Sequence, residues 1–191
     1  GVLGLRTHQD EETTRLALDF IRRHGTAARE GAQPFALFLS YDDPHDVYDF
    51  DPTVVGDVKG VPLPESWHRQ RFDTVPAVQR SFMTQDQGTR IHGMGREVWQ
   101  AYRHFYRSKV RKYDEHVGCV LAALDAQDLD DRTVVVATSD HGDMDAHHRL
   151  IFKGPFMYEH MVRIPLIVRV PEVPDGIGTR RIADVDVVNT D

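Results

Sequence analysis

Residues 98–142 constrain the fold more than any other part of the chain. Val98, Tyr102, Phe105, Tyr106, Val110, Tyr113, Val117, Val120, Leu121 and Leu124 recur at steps of three and four. That period predicts a long helix with one apolar stripe. "DLDDR" makes a turn, and "TVVVATS" is a β-branched run that predicts a strand. On the far side of the helix Arg103, Arg107, Arg111 and Asp114 predict a solvated face. A helix that returns directly into a buried strand must cover a sheet, so the segment predicts a layered α/β domain.

The flanking segments agree with this. "DEETTRLALDFIRRHG" predicts a helix in which Leu16, Phe20 and Ile21 recur at helical spacing, with acids at its start, arginines at its end and Gly25 after it. "PFALFLSY" predicts a buried strand over residues 35–41, and "IPLIVRV" predicts another. Strands alternating with helices imply a largely parallel sheet. Residues 49–94 hold Pro52, Pro62, Pro64 and Pro76 and no sustained period, so they are expected to form a long variable loop with a few short helical turns. A loop of that length in a compact domain is commonly a functional lid or disordered.

A formal charge of −7 argues against a nucleic-acid surface. No apolar run is long enough to predict a membrane span, and "GVLGLRTHQDEE" lacks the pattern of a signal peptide. The single cysteine, Cys119, lies in a helical pattern and is expected to be buried; it cannot form an internal disulfide.

In open α/β sheets, ligands bind beyond the carboxyl ends of strands. Two predicted strand ends carry the densest polar chemistry, "DDPHD" and "SDHGD". Asp140 and His141 can there ligate a divalent cation, although Asp140 could equally cap a turn while His141 bonds the backbone. Asp143 is a candidate further ligand or a partner of one. Lys153 follows Asp140 by thirteen residues. An ammonium and a cation share a site sensibly only if an anion lies between them. His45 could donate a proton to a leaving group, or be a loop histidine bonded to the backbone. Of the adjacent histidines, His148 is the better pocket candidate and His147 the better loop residue.

"SDHGDM…AHHRLIFKGPFMYEHMVRIPLIV" resembles the sulfatase segment S-D-H-G-D/E-M-L-G-x-H-x-L-x-x-K-G-P-x-Y-E-E-x-x-R-I/V-P-L-I-V. "PFALFLSYDDPHDVY" is similar to the family's "PFFLFLSFxxPHxPY", and "YRSKVRKYDEHVGCVLAALDAQDLDDRTVVVATSDHG" to its helix–turn–strand lead-in. The resemblance implies an alkaline-phosphatase-like α/β domain that hydrolyses sulfate esters of small molecules or carbohydrates. It further implies that Asp140 and His141 bind Ca²⁺, that Lys153 and His45 contact the sulfate, and that a Lys or His protonates the departing alkoxide. Relatives that share these residues cleave phosphonate monoesters or phosphodiesters, and a non-catalytic metal- or anion-binding module is the remaining alternative.

The sequence departs from the family pattern at informative places. The family's nucleophile is a formylglycine made from C/S-x-P-x-R, which is absent here: Cys119 precedes Val-Leu-Ala. The first pair of metal-binding aspartates is also absent. Asp145 and Ala146 stand where Leu and Gly are usual. "RIADVDVVNTD" resembles the opening of a further family motif. Residues 1–191 are therefore expected to be part of a sulfatase catalytic domain, truncated at both ends and inactive alone. The nucleophile and the rest of the metal site would lie upstream.

Overall fold

The computed structural model describes residues 9–171, the side chains of residues 46 and 47 excepted. The segment "RIADVDVVNTD" lies outside the described residues. Helix α1 (Gln9–Arg29) packs along α4 (Arg96–Asp125). Between them in sequence lie α2 (Glu65–Arg69) and α3 (Ala77–Gln85). After α4 come β1 (Val135–Thr138), α5 (Glu159–Val162) and β2 (Leu166–Arg169).

Helix α4 forms as its period predicts, and its first half buries Trp99, Ala101 and Tyr102. Arg103 departs from the predicted solvated face: it is 8% exposed, while Arg107, Arg111 and Asp114 are exposed. Apolar period alone does not register a guanidinium that finds a buried carboxylate. Cys119, expected inside, is exposed on the outer side of α4. Helix α1 runs past Gly25 to Arg29, because Gly25 is buried and alanines follow it. A Cβ at Gly25 would approach Gln127 Oε1 to 2.8 Å.

The sheet differs from expectation among the described residues. β1 and β2 pair antiparallel, with Val135 opposite Arg169 and Thr138 opposite Leu166. A parallel pair needs a crossover. Here the connection doubles back alongside itself instead. The Gly142 N–H donates to Met161 O at 2.9 Å, and Thr138 Oγ1 donates to Pro165 O at 2.9 Å. Residues 35–41 are not assigned as a strand, yet their burial alternates as a strand's does, with Phe35, Leu37 and Leu39 half-buried and Phe38 94% exposed. No partner strand among the described residues satisfies their backbone. An apolar groove of about 720 Å³ separates residues 34–39 from residues 133–137, floored by α1 and α4.

Residues 49–94 contribute to the main core. Phe50, Leu63, Phe82, Met83 and Ile91 meet Trp99 and Tyr102 of α4, together with Met144, Leu150, Ile151 and Phe152. Each such large side chain stabilises the fold by about 1.5–3 kcal/mol when fully buried. A smaller cluster joins Ile21, Leu124 and Leu129 to Phe35, Leu37 and Val135. The loops after residue 41 and after β1 are thus held by one packed body.

Candidate active site

The loop after β1 begins with Ser139, Asp140 and His141. Asp140 Oδ1 accepts the His141 backbone N–H at 2.9 Å, which caps the turn and leaves the carboxylate 85% exposed. His141 Nδ1 lies 2.8 Å from Gly142 O, a contact that only an N–H can satisfy. The opposite nitrogen, Nε2, lies 3.1 Å from Lys153 Nζ and 3.5 Å from Asp140 Oδ2. The loop therefore brings an ammonium, an imidazole and a carboxylate to one point. Gly142 is required there: a Cβ would fall 1.9 Å from His160 O.

Asp140 and His141 fit a divalent cation. The carboxylate is open, and a backbone carbonyl fixes the tautomer so that Nε2 carries the lone pair, as in metal-ligating histidines; the Lys153 ammonium faces that lone pair and would have to turn from it to admit a cation. Two ligands make an incomplete set. Among the described residues no group of three or more His, Cys, Asp or Glu side chains gathers to complete it.

Asp143 faces inward. Its Oδ1 accepts the Tyr102 O–H at 3.2 Å and the Asp145 N–H at 2.7 Å. Burial pushes its carboxyl up to about 6, against the opposing pull of those hydrogen bonds. Asp145 pairs with Arg103 through Nη2 at 2.7 Å and Nε at 3.1 Å, the two side chains being only 17% and 10% exposed. Burial raises the Asp145 pKa while Arg103 lowers it. Arg103 also donates to Pro62 O, which ties the loop to the 49–94 segment.

His147 and His148 pack against that same segment. His147 stacks on His160 with ring centroids 3.6 Å apart, and its Nδ1 lies 3.2 Å from Ser66 Oγ. Burial and the neighbouring His160 pull the His147 pKa down to about 4. His148 stacks on Tyr158 at 4.2 Å, and its Nδ1 lies 3.1 Å from Gln70 Oε1. Both histidines hold α2 to the loop.

His45 opens a short 3₁₀ turn (His45–Asp49) and is exposed. Its ring sits 5.0 Å from Tyr48, and Tyr48 stacks at 4.0 Å on Phe152, the residue before Lys153. The approach to His45 is anchored twice. Asp10, at the start of α1, accepts the backbone N–H groups of Asp42 at 2.7 Å and Asp43 at 2.8 Å. Lys109 of α4 pairs with the buried Asp43 carboxylate at 3.3 Å.

Four of these residues escape sequence reasoning. Asp10 reads as an acid in a first helical turn, Arg103 as part of a charged helix face, and Lys109 carries no assignment. Tyr102 reads as one more member of an apolar stripe. The one readable hint is Lys109, which follows Tyr102 by seven residues and so interrupts the apolar stripe, where a lysine implies a buried charged partner.

A family profile for sulfatases matches residues 4–190. The uncharacterized sulfatase YidJ of Escherichia coli is 29% identical over 180 residues, 92% of this chain and 32% of that protein. Choline-sulfatase of Rhizobium meliloti is 27% identical over 172 residues, 84% of this chain and 31% of its own length. The solved structure of BT1596, a 2-O GAG sulfatase, superimposes with a TM-score of 0.70 at 23% identity, covering 85% of this chain and 35% of that one. This chain thus spans about a third of the length of the proteins it matches. The fold is that of the alkaline-phosphatase-like sulfatases, here as a partial α/β unit. A sequence match running nearly end to end, on a backbone that overlays a sulfatase, establishes that the chain belongs to the sulfatase family.

Proposed function

We propose that this chain supplies one side of the active site of a sulfuric ester hydrolase. One observation carries the reading: Lys153 Nζ stands 3.1 Å from His141 Nε2, beside the open Asp140 carboxylate. Asp140 and His141 would hold a divalent cation, Ca²⁺ as the resemblance to sulfatases implies. When bound, the cation would neutralise charge on sulfate oxygens. Lys153 then donates hydrogen bonds to the same tetrahedral anion as its charge grows. His45, whose ring neighbours Tyr48 and through it the residue before Lys153, would in this reading protonate the departing oxygen. The substrate class is a sulfate ester of a small molecule or carbohydrate.

The chain contains no C/S-x-P-x-R motif. In this reading the nucleophile, a formylglycine, and the remaining metal ligands come from a part of the protein outside residues 1–191. The open groove between residues 34–39 and β1 is where such a part would complete the sheet.

The test is a pair of assays on nitrophenyl sulfate. The full-length protein should turn it over, and Lys153→Met should reduce kcat/KM by about 10²-fold or more, as loss of one charge-stabilising donor does. The 191-residue chain alone should show negligible turnover. Robust activity of that chain, or preference of the full-length protein for the matching phosphonate ester, would overturn the reading.

A further inference from the structure

The loop from Asp140 to Lys153 is held in an improbable shape. Asp145, Ala146, His148, Arg149 and Phe152 all have positive φ, between 40° and 68°, although none is glycine. Such conformations persist only where the surroundings over-determine them. Phe152 is the most consequential, since it precedes Lys153. It is 1% exposed with φ at 57°. Its carbonyl accepts the Met144 N–H at 2.8 Å, and its own N–H donates to Tyr102 Oη at 3.1 Å.

Tyr102 is completely buried on α4, and its hydroxyl serves both limbs of this loop. One oxygen lone pair receives the Phe152 N–H, so the single hydroxyl hydrogen goes to Asp143 Oδ1 at 3.2 Å. Asp143 lies two residues after His141, and Phe152 one before Lys153. The Tyr102 ring also packs edge-on against Phe152, whose other side stacks on Tyr48. The backbone tie from Met144 to Phe152 closes the loop on itself. Among the described hydrogen bonds, the Tyr102 hydroxyl is the one group of α4 that reaches both limbs, Arg103 binding Asp145 alone of the loop.

We infer that Tyr102 is a positioning residue of this active site: its buried hydroxyl sets the separation between the Asp140–His141 pair and Lys153. This rests on the sulfatase reading for its catalytic consequence, and on geometry alone for its structural one. Tyr102 does not touch the ester. It acts through the two limbs that do. Phenylalanine fills the same volume and makes neither bond, so Tyr102→Phe isolates the hydroxyl. With it gone, Phe152 N–H and one Asp143 oxygen lose their shared partner, and the strained turn before Lys153 can relax.

The experiment uses the full-length protein. Amide hydrogen exchange is followed in peptides from residues 144–154 and from α4, alongside the urea midpoint and kcat and KM on nitrophenyl sulfate. Tyr102→Phe should speed exchange at residues 150–154 about fivefold or more while α4 stays protected. It should lower kcat about 10- to 100-fold with KM within about threefold, because a small misplacement of a reacting group is felt in the transition state. Asp143→Ala opens the same clasp from the other limb. It should give the same exchange pattern, and Tyr102→Phe/Asp143→Ala should add nothing further. A merely structural tyrosine would instead speed exchange throughout α4 as much as at residues 150–154, with kcat and KM unmoved. That result, or unchanged exchange at 150–154, or an undiminished kcat in a variant whose loop has opened, overturns the inference. If the wild-type protein hydrolyses no sulfate ester, the sulfatase reading fails, and the exchange pattern alone decides whether Tyr102 sets the loop.

Discussion

Asp143 and His147 illustrate how burial acts on opposite charges four residues apart in one loop. Burial raises the Asp143 pKa to about 6 and lowers that of His147 to about 4. Between pH 4 and 6 the folded Asp143 binds more protons than the unfolded chain, so its contribution makes stability fall as pH rises. Over the same range His147 stays neutral in the fold while its unfolded counterpart is protonated, so its contribution makes stability fall as pH drops. The two slopes oppose each other and flatten the acid limb. Asp143→Asn keeps an acceptor oxygen but removes the charge. It should stabilise the protein at pH 7 and steepen its loss of stability below pH 6, read as urea midpoints from pH 4 to 7.5. A midpoint profile parallel to wild type would exclude this account. Arg103 offers a second test. Arg103→Ala strands the Asp145 carboxylate among core residues, and a loss of about 3 kcal/mol is expected, as for breaking one partner of a buried pair. Arg103→Ala/Asp145→Ala should recover part of it by denaturant titration.

At the scale of elements, the loops of the candidate site are fixed by residues from helices distant in sequence. The first turn of α1 grips the loop that carries His45, since one carboxylate, Asp10, binds two consecutive backbone N–H groups. Bonds of this charge-assisted kind are worth about 1.5–3 kcal/mol each. Asp10→Ala should therefore leave α1 and α4 folded while exposing residues 42–49 to limited proteolysis. Cleavage no faster than in wild type would show that Lys109 and Asp43 hold the loop unaided. The 49–94 segment makes a related point. Its lack of period predicts a variable loop, yet it packs Leu63, Phe82, Met83 and Ile91 into the core. Through Ser66, Trp67 and Gln70 it also holds the loop of His147, His148 and Arg149. The five-residue α2 buries no residue fully and the nine-residue α3 buries only Gln79, Phe82 and Met83, too short a run to set up a period.

At the scale of the whole molecule, the described sheet exposes apolar side chains on both faces. Val134, Val136, Leu166, Ile167 and Val168 are 47–66% exposed, and Phe38 lies across the groove from β1. Such a patch, with free strand edges, favours association. The 191-residue chain on its own should therefore bind a hydrophobic dye and sediment as a concentration-dependent oligomer. Val136 and Val168 face each other across the ladder. Val136→Lys/Val168→Glu should suppress both signals; a monodisperse, dye-silent wild-type chain would contradict the expectation. The two long helices, the strand before "SDHGD", the strand at 166–169 and the membership of the family were legible in the sequence, because period, turn chemistry and contiguous motifs are local properties. The chemical content of the loop, Asp140, His141 and Lys153, was legible for the same reason. Tertiary structure alone decided the antiparallel pairing, the lack of a partner for residues 35–41 among the described residues, the inward turn of Asp143 and the exposure of Cys119. It alone enlisted Tyr102, Arg103, Lys109 and Asp10 as supports. Each of those outcomes depends on which distant group satisfies a buried donor or acceptor, and nothing in the local order of residues specifies that partner.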